Sequence, residues 1–265
     1  QGTSFSLVNN TTYNVGLEVV AGGVHKTDIT TGELIIHTAA PTIVLDTISG
    51  DNKINAVEKG QSLLVSGVTN AEVGSTVTVT GLDGTSRTAT VITGSGSGAN
   101  PNAFSLTIAA VDVTAFTTGS KTVTASVVNA YQVTGTNTAT VVIDTTAPTL
   151  TADVTDVTDN VGLVTGSVAS GGVTDDTSLT TSGTISAALG AGDTVRIYDG
   201  STYLGTATVT GAGTTWTYAD TRTLANGQVV NYKARVSDDA GNIGTASAGY
   251  TVNTDTAAST VVAQV

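Results

Sequence analysis

The sequence predicts an all-β fold, small two-sheet sandwiches strung in tandem as an elongated array. Three observations carry that expectation. Short segments alternate apolar and polar residues with a period of two, and no sustained helical period appears. One phrase recurs at domain-sized intervals: "IHTAAPTI" at 36–43, "IDTTAPTL" at 143–150 and "TDTAASTV" at 254–261. The composition is poor in bulk, with 4% aromatic and 11% charged residues, against about 25% charged in an ordinary soluble domain. Val and Thr favour pleated surface, and 31 glycines supply turns. Such residues build thin sandwich cores rather than the thick layers of α/β enzymes.

Aligning the phrases on His37, Asp144 and Asp255 gives intervals of 107 and 111 residues, a repeat of whole domains. After the first copy, "TIVLDTI", "SLLVSGV", "STVTVTGL", "SRTATVI", "AFSLTIA", "KTVTASVV" and "NTATVVI" read as seven short strands. After the second, the strands are "LTADV", "LTTSGTIS", "DTVRIYD", "YLGTATV", "TWTYADT", "VNYKARVS" and "ASAGYTV". Seven strands in about 100 residues is the count of an immunoglobulin-like sandwich. One helical turn is expected in "AAVDVTAFTTG", 109–119.

The first domain is expected to be partial. "TSFSLV", "YNVGLEVV" and "GELIIHT" match the last three strands of the following domain. The boundaries are therefore a partial domain at 1–38, complete domains at 39–145 and 146–256, and the first strand of a further repeat at 257–265. A lone three-stranded half is a poor core. Its missing strands lie on a longer natural chain or come from another molecule. The absence of Met, position 1 included, fits an excised or processed piece.

The net charge of −12 argues against nucleic acid and anionic lipid as partners. No apolar run reaches the roughly 20 residues of a membrane helix, so no membrane insertion is expected. There is no Cys, which removes disulfide and thiol chemistry. The only histidines, His25 and His37, fall at a hairpin tip and in a linker, a poor basis for a catalytic triad. One Trp and three Phe are too few to wall a sugar-cleaving cleft. The chain is therefore expected not to be an enzyme, and Trp216 is expected to anchor a core.

At this point "GDNKINAVEKGQSLLVSGVTNAEVGSTVTVT" (50–80), "VRIYDGSTYLGTATV", "VSDDAGNIGTAS" and the "DTTAP" phrase matter together. They resemble the tandem bacterial immunoglobulin-like repeats of giant type I-secreted surface adhesins and biofilm-associated proteins. The resemblance covers residues 3 to 260. It implies a secreted or bacterial cell-surface location and a structural extender role, with the host or matrix ligand bound elsewhere on the parent protein. It also implies calcium at the joints between neighbouring repeats of one long chain. Two alternatives stand beside it: a self-assembling filament or surface-layer subunit using strand exchange, and a glycan- or protein-binding module.

Topology suggests which residues would hold Ca²⁺. In such sandwiches the loop between the sixth and seventh strands lies at the joint that precedes its own domain, and the loop after the first strand lies at the joint that follows. Asp144 in the linker, Asp238, Asp239 and Asn242 in "SDDAGN", and Asp51 and Glu58 in "GDNKINAVE" are then expected to converge. Clustered carboxylates repel unless a cation joins them, and calcium takes 6–8 oxygens of this kind. The same Asp and Asn are also ordinary turn formers. Asp255, Asp175 and Asp176 make half of a second such set. Asp46 and Asp153 either add ligands or face water. At the first joint His37 replaces the linker Asp and the matching loop "VVNAYQVTG" has no carboxylate, so the expectation there is no metal, with either packing by Tyr131 or a more mobile joint.

Overall fold

Alternation along each segment decides which side chains enter the core, and a computed structural model shows it directly. It describes residues 7–9, 11–94, 97–163 and 165–257. On "LLVSGVT", Leu63, Val65, Gly67 and Thr69 are buried while the residues between them are not. On "SKTVTASVV" the buried positions are Val123, Ala125 and Val127. The chain divides into two units, Gln1–Ile54 with Glu58–Ile143, and Asn55–Val57 with Asp144–Val265.

The first unit opens with a hairpin of β1 (Thr11–Ala21) and β2 (Val24–Ile36), paired only with each other. Gly22 and Gly23 make its two-residue turn at φ 60° and 78°, the left-handed pair such a turn requires. The expected strand at 3–8 lies mostly outside the described residues, and Leu7 and Val8 are not strand. Ten further elements follow: β3 (Ile43–Leu45), β4 (Lys53–Ile54), β5 (Leu63–Thr69), β6 (Thr76–Thr80), β7 (Arg87–Thr90), β8 (Ile92–Thr93), β9 (Asn102–Ile108), α1 (Ala110–Thr114), β10 (Gly119–Val128) and β11 (Thr134–Ile143). They form two sheets, ordered β3-β5-β9-β8 and β4-β11-β10-β6-β7. Ile54, Val65, Phe104, Ile108, Phe116 and Ile143 fill the space between them. The single turn of helix falls where it is expected.

The second unit repeats the plan with β12 (Ala152–Asp159), β13 (Gly166–Ser167), β14 (Gly172–Thr174), β15 (Thr180–Ile185), β16 (Thr194–Asp199), β17 (Thr202–Thr206), β18 (Thr208–Thr210), β19 (Thr215–Ala219), β20 (Val229–Ser237) and β21 (Tyr250–Thr254). Its sheets run β13-β12-β15-β19-β18 and β14-β21-β20-β16-β17. Trp216 and Tyr232 are fully buried and form the centre of its core, so Trp216 anchors the sandwich as expected. In both units the sheet holding the last two strands ends in a short parallel strand, β4 on β11 and β14 on β21. Among the described residues all the other strand pairs are antiparallel. This is the immunoglobulin-like arrangement, and each complete sandwich adopts it. Among the described residues no helix is long and apolar enough to cross a membrane.

Three features differ from the sequence expectation. "SRTATVI" and "YLGTATV", each expected as one strand, break into β7 with β8 and β17 with β18, and the halves pair in different sheets. β12 extends past Val154 to Asp159, because a register shift between Val154 and Asp156 lets the ladder with β15 continue. The parallel strands β4 and β14 are two and three residues long, too short to show a period. The C-terminal strand expected within 257–265 lies almost wholly outside the described residues.

Candidate functional site

The acidic positions sort by what each carboxylate holds. Within the second unit, β20 ends at Ser237 and the chain turns back over Asp238–Asn242. Asp238 closes this loop: its Oδ1 accepts from the N–H of Ala240 (3.0 Å) and of Asn242 (2.8 Å), and its Oδ2 accepts from Asn242 Nδ2 (2.9 Å). Asn242, only 5% exposed, also donates through Nδ2 to the Asp144 carbonyl at 2.9 Å. Its Oδ1 accepts from the Ala56 N–H at 2.9 Å, and Asn55 Nδ2 donates to the Ala240 carbonyl at 3.2 Å. One amide thus ties three stretches of the second unit together.

The Asp144 carboxylate itself turns to its own chain and accepts from the Thr146 N–H at 2.9 Å. Asp255 does the same with Ala257 at 3.0 Å. Asp51, in the first unit, accepts from the Lys53 N–H at 2.9 Å, and Glu58 begins a 3₁₀ turn at Glu58–Gly60. Asp239 is exposed. Asp46 accepts from Ser66 Oγ at 2.7 Å. Asp153 is exposed on β12 opposite Thr184.

The acidic residues around β14 are more enclosed. Asp176 is 1% exposed and accepts from the N–H of Asn160 and Ser178. Asp159, also buried, accepts from Thr174 Oγ1 at 2.7 Å and from the Val161 N–H at 2.9 Å. Asp175 lies against Gly162.

All these donors are hard oxygens, the chemistry calcium prefers. Among the described residues no group of three or more His, Cys, Asp or Glu side chains is placed to hold a metal. Asp238 Oδ1 accepts two N–H groups and Oδ2 one, and the Asn242 amide offers both a donor and an acceptor.

At the first copy of the phrase, within the first unit, His37 stacks on Tyr131 with ring centroids 3.5 Å apart and planes at 12°. Packing by Tyr131 is therefore what the structure shows at this position. Asn9 Oδ1 accepts from the N–H of Thr38 and Ala39 at 2.6 and 3.2 Å; Ala39 stands two residues on, the position whose N–H the linker Asp serves in the other copies.

One network was not foreseen. Asp220, 2% exposed, accepts from Tyr232 Oη at 2.7 Å and from Arg222 Nη2 at 2.7 Å, while Arg222 Nη1 donates to Asp199 Oδ2 at 2.9 Å. Burial pushes the Asp220 carboxyl up, but hydrogen bonds from Arg222 and Tyr232 outweigh it and hold it below the usual range. Burial, with the bond to Asp220, pushes the Tyr232 hydroxyl far above its ordinary value. The signal was "ADTR" on one strand end and a Tyr at a core position of β20, which do not meet until the sandwich folds.

A second unforeseen group stands on the outer face of the β16–β20 sheet. Arg196, Tyr198, Lys233 and Arg235 alternate with the buried Val195, Ile197, Tyr232, Ala234 and Val236.

No protein-family model matches the chain, and no curated protein matches it. Solved structures similar to it include a 1.5-MDa bacterial ice-binding adhesin, at 23% identity over 82% of this chain and 67% of that one, TM-score 0.39. A Ca²⁺-stabilised adhesin with which an Antarctic bacterium binds ice has 22% identity over 91% of this chain and 57% of that one, TM-score 0.40. The fibronectin(III)-like modules of Clostridium thermocellum CbhA have 15% identity over 80% and 94%, TM-score 0.44. The architecture described above stands on the strand pairing of this chain.

Proposed function

We propose that this chain is a structural, non-catalytic segment of a large, secreted bacterial surface adhesin. Its immunoglobulin-like domains set the distance between an anchor and a ligand-binding region elsewhere on the parent. The observation that supports this reading is the repetition of one sandwich plan, each complete copy ending in the same Asp turn. The sequence resemblance to adhesin repeats and the spare, Thr- and Val-rich composition point the same way. The partners are then neighbouring repeats of the same chain.

Calcium at the joints is the finer part of the proposal. Its support is the all-oxygen donor set of Asp144, Asp238, Asp239, Asp51 and Glu58 and the resemblance. The N–H groups that Asp144 and Asp238 accept leave lone pairs on each carboxylate for an ion. Calorimetric titration with Ca²⁺ on the native chain, on Asp144→Ala and on Asp238→Ala/Asp239→Ala tests this part. Equal heats in all three would remove those residues from any calcium site. Small-angle scattering in EDTA and in millimolar Ca²⁺ tests the mechanical part, since a calcium-stiffened spacer gains persistence with the ion.

A second reading, a filament or surface-layer subunit that pairs strands between molecules, draws on one observation. The β1–β2 hairpin has no third strand among the described residues, and Val15, Leu17, Val19 and Leu34 on it are exposed. Sedimentation velocity at high concentration separates the two, because a strict monomer speaks against assembly.

A further inference from the structure

The outer face of β17, β16 and β20 carries a second kind of chemistry. The register sets Arg196 opposite Arg235 and Tyr198 opposite Lys233, and places Tyr203 opposite Tyr198 on the other side. The Arg196 guanidinium lies 5.7 Å from the Tyr203 ring centre and that of Arg235 lies 5.4 Å from Tyr198. The two rings are 5.5 Å apart and tilted by 59°. Tyr203 is 49% exposed. Aromatic rings and guanidinium planes thus share one surface, held by cation–π contact.

Three of the nine Lys and Arg residues of this acidic chain stand on that face. Among the described residues no carboxylate lies within ion-pair distance of Arg196, Lys233 or Arg235. Two guanidinium groups directly opposed across a sheet repel each other.

The first unit provides an internal control. Its strands β6 and β10 hold the same register, Thr78 opposite Ser126 and Thr80 opposite Thr124. The sandwich therefore folds with four small hydroxyl residues at the positions where the second unit has Arg196, Arg235, Tyr198 and Lys233.

We propose that this face binds an anionic polysaccharide whose charge is carried by carboxylates, a polyuronate. Tyrosine rings pack against the apolar faces of sugar rings, and the guanidinium fork takes a carboxylate through two parallel hydrogen bonds. The three strands span about 10 Å from Tyr203 to Lys233, the reach of a short run of sugars. The net charge of −12 opposes the approach of any polyanion, so the attraction is local to this face, and pairing with a second copy of the chain is an outcome of the test. This inference does not rest on the extender reading and would survive its failure.

The test measures binding of the intact chain to polygalacturonate oligomers by calorimetry, beside a neutral dextran of equal length and a single-stranded oligonucleotide. The decisive variant converts the face to its counterpart in the first unit: Arg196→Thr, Tyr198→Thr, Lys233→Thr and Arg235→Ser together. Emission from Trp216, the only Trp, checks that the second unit still folds. Binding to polygalacturonate is expected, weakened by salt, with at least a tenfold loss in the fourfold variant and a several-fold loss in Tyr203→Ala. No binding to polygalacturonate, or equal binding by the fourfold variant, overturns the proposal. So does preference for the oligonucleotide, or a patch-dependent self-association seen by sedimentation.

Discussion

Replacing Gly183 with Ala tests the packing argument on which the second sandwich depends. Gly183 on β15 faces Trp216 on β19 and Val154 on β12 across the ladders. A Cβ built there would lie 1.8 Å from the Asp153 carbonyl oxygen and 2.5 Å from Trp216 Cζ2. Ordinary van der Waals contact begins near 3.4 Å, so β12 must retreat by more than an ångström or the indole must leave its place. Overpacking of this kind costs about 1–3 kcal/mol, and a distorted ladder bond adds about 1 kcal/mol. A loss of about 3 kcal/mol in a domain of this size lowers the midpoint by roughly 10–12 °C. The assay is thermal unfolding followed by Trp216 emission, which reports the second unit alone because no other Trp exists. The first unit has a matching position: a Cβ on Gly67 would meet the Val44 carbonyl at 2.1 Å and Phe104 Cε1 at 2.8 Å. Gly67→Ala should lower a transition seen by far-UV circular dichroism while leaving the Trp216 midpoint in place. A Gly183→Ala midpoint within 2 °C of the parent (about 0.5 kcal/mol) would refute the close-approach argument.

Two further outcomes follow from the polar groups. The Asp220 carboxyl has its folded pKa held below its unfolded value, so its contribution is present above about pH 4 and disappears as pH falls through the folded pKa. Asp220→Asn should destabilise the second unit by about 2–3 kcal/mol at neutral pH and flatten the acid limb of its stability curve, as read by denaturant titration at stepped pH. Asn242→Ala removes the acceptor of Ala56 N–H and the donor to the Asp144 carbonyl. It should cost about 1–2 kcal/mol by the same Trp216 assay, with Asn242→Asp losing the donated bonds alone.

Much of the scaffold was legible because a two-residue period needs only a few residues to show. "SLLVSGV" and "VNYKARVS" declare a buried and an open face without any knowledge of their neighbours. The parallel strands β4 and β14 escaped because two or three residues show no period. The polar clusters escaped for another reason: Asp220, Tyr232 and Asp199 belong to different strands, and only the sheet register brings them together. The cation–aromatic face was legible in "TVRIYD" and "NYKARVS", where Arg196 with Tyr198 and Lys233 with Arg235 each stand two apart. Reading charges by their spread along the chain, rather than by the face of the strand, hides that stripe.

The recurring Asp of the linker phrase has a physical account that needs no ion. Each complete domain ends with its last strand paired in parallel to a short partner, β11 with β4 and β21 with β14. The ladder stops there, and the next N–H groups have no strand to bond. Asp144 covers the N–H of Thr146, and Asp255 that of Ala257, so an Asp at this point turns the chain out of the sheet with its donors satisfied. In the copy that carries His37, Asn9 supplies the acceptor from outside, taking both Thr38 and Ala39, and the freed ring stacks on Tyr131. The exchange of Asp for His is therefore accompanied by a change in where the acceptor comes from. Asn9→Ala should then disturb the first linker without any effect on the second.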